Sequence, residues 1–373
     1  MTPGATSLRT LAFYLPQYHP IPENDQWWGR GFTEWTNVAK AQPLFRGHYQ
    51  PHVPADLGFY DLRLPEVRAQ QAELARGAGI HGFCYYHYWF NGHRLLEQPF
   101  NDVLASGEPD FPFALCWANE DWTRVWDGRS GELLIGQQYS HEDDLAHIRA
   151  LAPAFADPRY IRINGRPLFL VYKAEKLPDP QRTAEIWRSE AQRLGVGEPY
   201  LCRVERSFTM ADPAEFGFDA AVAFEPDLRL PRHRFESYPR RALRRVFRPR
   251  GLYRRMSIAP YDLLVQDALE RLAEPADYDR WHCVAPSWDN SPRTREGGFV
   301  FHGATPEKYE RWLSETIRRR PARDPEEDLL FITAWNEWGE GNHLEPDLEF
   351  GHAWLDATRR VLGVSDAVPQ PAR

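Results

Sequence analysis

The chain has 373 residues and a formal charge of −8, from 45 Lys and Arg against 53 Asp and Glu. This balance argues against nucleic acid or an anionic membrane as partner. No run of about 18 apolar residues is present to span a bilayer, and the opening MTPGATSLRT lacks the blocks of a secretory signal, which reads as a soluble cytoplasmic chain without a transmembrane segment.

The first apolar run, LRTLAFYL at 8–15, ends on Tyr14 and leads into Gln17, Tyr18 and His19. The segment NDQWWGRGFTEWTN that follows mixes tryptophans with polar groups and offers Glu34 and Trp35. LPEVRAQQAELARGAG at 64–79 reads as a helix, with Pro65 near its start and glycines at its end. GFCYYHYWF at 82–90 carries Tyr86, His87 and Trp89; FPFALCWA at 111–118 carries Trp117 and runs into Asn119, Glu120, Asp121 and Trp122. PLFLVYK at 167–173 supplies Tyr172, PYLCRVE at 199–205 supplies Arg203 and Glu205, and DAAVAFE at 219–225 ends on Glu225. Residues 232–255 then hold ten arginines against one acid, Glu236, and read first as a solvated insertion and second as a patch for an acidic polymer. HCVAPSW at 282–288 leads from Trp288 into Asp289 and Asn290. A helix over 305–320 has Thr305 as N-cap, Pro306 at its first position and arginines in its last turn. DLLFITAW at 328–335 is followed by Asn336, Glu337 and Glu340, and SDAVPQPAR closes the chain as a tail that reads as disordered.

Eight short apolar runs alternate with helical patterns. Most are continuous rather than alternating, the mark of parallel strands covered on both faces. The reading is an α/β fold, a single-domain (β/α)8 TIM barrel over residues 1–365 with the arginine-rich insertion after strand 6 and a tail at 366–373. Cys84, Cys116, Cys202 and Cys283 fall within apolar runs and never in CxxC spacing, which predicts buried free thiols.

In such a barrel the active face lies at the C-terminal ends of the strands, where the polar and aromatic residues named above gather. Rings beside carboxylates and amides suit sugars, so Trp35, Trp89, Trp117, Trp122 and Trp288 are expected to line a cleft, with Glu34, His87, Asn119 and Asp121 fixing hydroxyls. Gly339 and Gly341 allow a sharp turn that brings Glu337 and Glu340 together. Like charges that close predict one raised pKa and a partner that stays basic, and a turn-linked pair fits the roughly 5–5.5 Å spacing of retaining glycosidases. The competing reading is a glutamate that caps backbone or pairs with an arginine. His48 and His52 form the one HxxxH, which Pro51 interrupts, no HExxH or GxSxG occurs, and no GxGxxG or GxxxxGK[ST] follows any strand. No catalytic metal and no cofactor are predicted.

FYLPQYHPIPENDQWWGRGFTEWTNVAKAQPLFRGHYQPHVPADLGFYDLR, with GFCYYHYWF, ALCWANEDWTRVWDG and TAWNEWGEGNHLEP, resembles the WbsX-like family of bacterial polysaccharide loci, related to glycoside hydrolase family 99. The resemblance implies a metal-free barrel and retaining endo-type cleavage through a 1,2-anhydro sugar. It gives Glu337 the removal of the 2-hydroxyl proton and Glu340 the acid and base work at the glycosidic oxygen. The mannosidase substrate motif is not reproduced, so mannose specificity is not carried over and the implied ligand is a polysaccharide or oligosaccharide, with an acidic polymer among the candidates. WbsX-like proteins are commonly labelled glycosyltransferases of O-antigen, lipopolysaccharide or capsule assembly, which is the alternative; a non-catalytic sugar-binding protein is the third.

Overall fold

The computed structural model describes residues 8–124, 129–206, 210–228, 256–274, 276–294 and 298–364, with only the backbone described for 129–131. The arginine-rich segment 232–255 and the tail 366–373 lie outside the described residues. Eight parallel strands close a barrel: β1 Arg9–Tyr14, β2 Gly82–Phe90, β3 Phe113–Trp117, β4 Arg166–Val171, β5 Tyr200–Glu205, β6 Ala220–Ala223, β7 Arg280–Val284 and β8 Leu329–Ile332. Each pairs with its sequence neighbours, and β1 closes the ring by pairing with both β2 and β8. All eight strands read from the sequence are present.

Helices α1 Pro22–Trp28 and α2 Glu34–Ala39 lie in the long segment after β1. The outer layer consists of α3 Pro65–Gly77, α4 Gln98–Ser106, α5 His141–Ala156, α6 Pro180–Arg193, α7 Tyr261–Arg271, α8 Pro306–Arg319 and α9 Ala353–Leu362. The fold is a single-domain (β/α)8 barrel. Helix α8 illustrates why these segments are helical: the Thr305 hydroxyl accepts from Lys308 N, Pro306 begins the helix, and Tyr309, Trp312, Leu313 and Thr316 form one buried stripe.

Strand parity sorts the apolar residues into two cores. Leu11, Phe13, Leu168, Leu170, Val222 and Phe331 fill the barrel with the four cysteines, whereas Ala12, Tyr14, Phe83, Tyr85, Trp117 and Phe169 pack on the helices. The cysteines are buried free thiols as expected, and burial raises their pKa. No helix among the described residues is long and apolar enough to cross a membrane.

Candidate active site

The turn after β8 is a tight hairpin in which Asn336 and Glu337 pair with His343 and Asn342 around the 3-10 turn Trp338–Glu340. Two glycines make it possible. Gly341 sits at φ +55°, and a Cβ on Gly339 would overlap the carboxylate oxygen of Glu34. Asn336 fixes the hairpin to the end of β1: Leu15 N donates to its Oδ1 at 2.7 Å, and its Nδ2 donates to Leu15 O at 3.0 Å. Behind the turn Trp338 stacks on His343 and donates its indole N–H to Glu345 at 2.6 Å.

Glu337 and Glu340 meet on Arg293, from the loop after β7. Its Nη2 lies 2.8 Å from Glu337 Oε2, its Nη1 2.8 Å from Glu340 Oε1, and its Nε donates to Glu34 Oε1 at 2.9 Å. One guanidinium thus faces three carboxylates, and its planar fork fixes their directions. The loop is held in place by Asp289, whose backbone N–H donates to Glu340 O at 2.6 Å and whose carboxylate accepts from Gln50 Nε2 at 2.6 Å and Ser291 N at 2.9 Å. The sequence reading is one carboxyl with a raised pKa beside a partner that stays a base. Burial raises both pKa values, Glu337 to about 8, with Arg293 opposing the rise and the neighbouring carboxylates adding to it. The pair therefore keeps a proton near neutral pH. Arg293, by contrast, stays charged, because the three carboxylates outweigh its burial.

Glu337, Glu340 and Arg293 face a cavity of about 560 Å³, lined also by Gln17, Tyr86, Glu120, Asp121, Trp122, Tyr172, Trp288 and Asn290. A larger, shallow hollow of about 1130 Å³ surrounds Tyr278–Arg280 at the opposite, N-terminal end of β7, the end that bears on stability in such barrels. Of the residues expected at the site, these eight, the glutamate pair and Glu34, through Arg293, are brought together.

The others are placed elsewhere. Tyr14, His87, Trp89 and Trp117 have the outward parity of their strands. Tyr14 donates to Gln71 on α3 at 2.7 Å, His87 meets His147 on α5 at 3.0 Å, Trp89 donates to Asp143 at 2.8 Å, and Trp117 packs on Trp187 of α6. Arg203 and Glu205 also turn outward: Arg203 donates to Ala211 O at 2.8 Å, and Glu205 pairs with Arg280 at 2.9 Å. Glu225 is bound by Arg271 of α7 and caps Asp227 N at 2.8 Å. Tyr18 bonds the backbone of Asn336 and Trp338, Trp35 donates to Tyr60 O at 2.8 Å, and His19 is fully buried, which lowers its pKa to about 4. Asn119 ties β3 to β4 through both polar atoms of Lys173's backbone, at 2.8 and 2.9 Å, while Asp289 and Asn336 are bracing residues as described.

The cavity adds residues that the sequence reading passed over: Trp28, Tyr88, Lys176, Arg206 and above all Arg293. Tyr88 shares the parity of Tyr86 and packs edge-on to Trp122, a period-2 signal present in YYHYWF. Arg206 lies over the rings of Tyr172 and Phe224. Arg293 carries no such local signal, since it sits in a polar loop.

The eight strands and their helices form a (β/α)8 barrel whose fold is similar to those of other solved proteins. A "Glycoside hydrolase-like protein" superposes with a TM-score of 0.60 at 13% identity, covering 96% of this chain and 94% of that one. The GH99 endo-alpha-mannosidase from Bacteroides thetaiotaomicron gives 0.59 at 14% identity, covering 95% and 96%. The chain belongs to the family described as Glycosyltransferase WbsX, whose model matches residues 10–358. Its relatives include the uncharacterized protein WxcX of two strains of Xanthomonas campestris pv. campestris, each 46% identical over 94% of this chain. The chain spans about half the length of these curated relatives, 49% of each.

Proposed function

We propose that this protein is a glycoside hydrolase that cleaves a bacterial polysaccharide or oligosaccharide with retention of configuration, using Glu337 and Glu340. The observation that carries the proposal is the seating of both carboxyls on one partly buried guanidinium at the edge of an aromatic-walled cavity. Side-by-side carboxyls on a single fork support the closer, roughly 5–5.5 Å spacing of retaining enzymes over the roughly 6.5–9.5 Å of inverting ones. Tyr86, Tyr88, Trp122, Tyr172 and Trp288 offer faces to sugar C–H groups, with Gln17, Asp121 and Asn290 as partners for hydroxyls.

Glu340 is the more exposed of the pair, with 21% of its side chain accessible against 7% for Glu337. This greater exposure supports the role that the family 99 resemblance implies for it, proton transfer at the glycosidic oxygen. In the route that the family 99 resemblance implies, Glu340 protonates the leaving oxygen as its bond to C1 breaks. With the proton of the coupled pair on Glu340, Glu337 is the carboxylate that takes the 2-hydroxyl proton while O2 closes on C1 to form a 1,2-anhydro sugar. Water then opens that ring at C1 and gives its proton to Glu340, and Glu337 returns its proton to O2. Two displacements at C1 leave its configuration retained. Arg293 keeps the pair oriented and balances part of its charge.

The family's description favours a second reading, transfer of a sugar to an acceptor glycan. Incubation with a panel of bacterial glycans, without nucleotide sugar, separates the two. Release of reducing ends whose first-formed anomer by NMR matches the substrate supports hydrolysis. Stabilisation and turnover only with a nucleotide sugar would replace it with transfer, and binding without turnover would leave a sugar-binding protein.

A further inference from the structure

We propose that His52, His343 and Asp347 form a binding site for one divalent transition-metal ion, best matched by Zn²⁺, that staples the segment after β1 to the turn after β8. The three side chains are buried, and their donor atoms lie within 4.8 Å of one another. His52 Nδ1 is 2.8 Å from His343 Nε2, which is 3.8 Å from Asp347 Oδ2.

Two features point to a ligand rather than to packing alone. His343 Nδ1 is 2.9 Å from the Glu345 carbonyl oxygen, which can only accept. The ring proton is therefore on Nδ1 and the Nε2 lone pair is turned into the cluster, as in the outer-shell support of metal-bound histidines. Asp347 is 1% exposed, and its Oδ1 accepts from Glu349 N and Phe350 N, whereas Oδ2 makes no hydrogen bond of good geometry and the carboxyl has the neutral hydroxyl of Tyr49 beside it. An anionic oxygen buried in that way is costly unless something positive reaches it.

Two imidazoles and one carboxylate suit zinc, with water in the fourth position, whereas Ca²⁺ and Mg²⁺ favour oxygen-only sets. In the metal-free form His52 Nδ1 and His343 Nε2 share a hydrogen. On binding, that hydrogen moves to His52 Nε2 through solvent, so no net proton leaves the rings. Tetrahedral ligation, with Zn–N distances of about 2.0–2.1 Å, needs the two nitrogens to part to about 3.3 Å. The HxxxH histidines thus divide: His48 lies 2.6 Å from Asp289 at the site loop, and His52 finds a partner far along the chain. None of the three ligands lines the sugar-sized cavity. Their link to it is Trp338, stacked on His343 at 3.6 Å between centroids and adjacent in sequence to Glu337, which makes the ion a positioning element.

The test uses the full chain, stripped with a chelator, dialysed and titrated with ZnCl₂ or CoCl₂. One equivalent should bind, melting should shift upward by several degrees with Zn²⁺, and Co²⁺ should give the visible absorption of a four-coordinate N/O site. Asp347→Asn and His343→Gln, confirmed as folded by circular dichroism, should each weaken uptake by about tenfold or more. Absence of stoichiometric uptake and of any melting shift in the unsubstituted protein overturns the proposal without recourse to variants. So does a Co²⁺ spectrum that persists unchanged in both variants. Neither result bears on glycan cleavage, which is assayed separately.

Discussion

At the scale of single residues, Glu337, Glu340 and Arg293 carry the proposed chemistry and a stability penalty together. Glu340→Gln should lower cleavage of natural glycans by about 10²–10⁴, the usual worth of general acid catalysis, and should do much less harm to substrates with activated leaving groups. Equal losses on both substrate types would remove Glu340 from that role. The raised pKa of Glu337 makes a second prediction, and its sign follows from linkage. Below about pH 4.5 the folded and unfolded chains both hold the proton; between there and about 8 only the folded chain keeps it, so stability falls as pH rises. Above about 8 the full penalty of an ionised buried carboxyl remains. Glu337→Gln should therefore melt several degrees higher than the parent at pH 9, with the gain vanishing at pH 4. A parent that melts higher at pH 9 would mean that the attraction of Arg293 outweighs burial.

Among elements, the strands and the turn after β8 decide which residues reach the cavity. Gly339→Ala forces Glu34 off the turn and crowds Arg293 Nε, which lies 2.9 Å from the added carbon. Displacement of about 1 Å at a reacting group costs about a hundredfold in kcat, so this variant should lose kcat with its fold intact by circular dichroism. Trp122→Ala and Trp288→Ala should raise KM, while Trp89→Ala and Trp117→Ala should destabilise the fold by about 3–5 kcal/mol and leave KM in place. The opposite pattern would move the sugar face to the other side of the strands. This contrast explains what was legible beforehand. Apolar runs marked every barrel strand, start and stop residues marked the helices at 64–79 and 305–320, and the glycines marked the β8 turn. Parity was hidden, because in GFCYYHYWF both faces are aromatic: Tyr86 and Tyr88 point into the cavity while His87 and Trp89 point at α5. Long-range ties were hidden as well. Nothing near Arg293 in the sequence announces that three carboxylates from two other loops converge on it, and Asn336 resembles a sugar ligand until its bonds to Leu15 are seen.

For the whole molecule, net charge and barrel closure matter more than any single contact. The chain is acidic, but the segment 232–255 concentrates ten arginines, and attraction from such a cluster is screened over roughly 8 Å at physiological salt. Replacing Arg240, Arg241, Arg244 and Arg245 with Gln should raise KM for an acidic polymer at low salt and leave a small neutral glycoside unaffected. An unchanged salt dependence of KM would free the segment from any part in substrate capture. Closure has a different bearing. The ring is completed only when β8 pairs with β1, Arg9 beside Leu329 and Ala12 beside Ile332, and the hairpin bearing the glutamate pair follows β8 directly. A ribosome delivers β1 first and β8 last of the eight barrel strands, so the growing polypeptide carries an unpaired sheet edge until β8 emerges. Translation stalled before Leu329 yields a sticky open sheet rather than a weakened site, and the last strand to emerge both seals the barrel and brings the acidic pair into being.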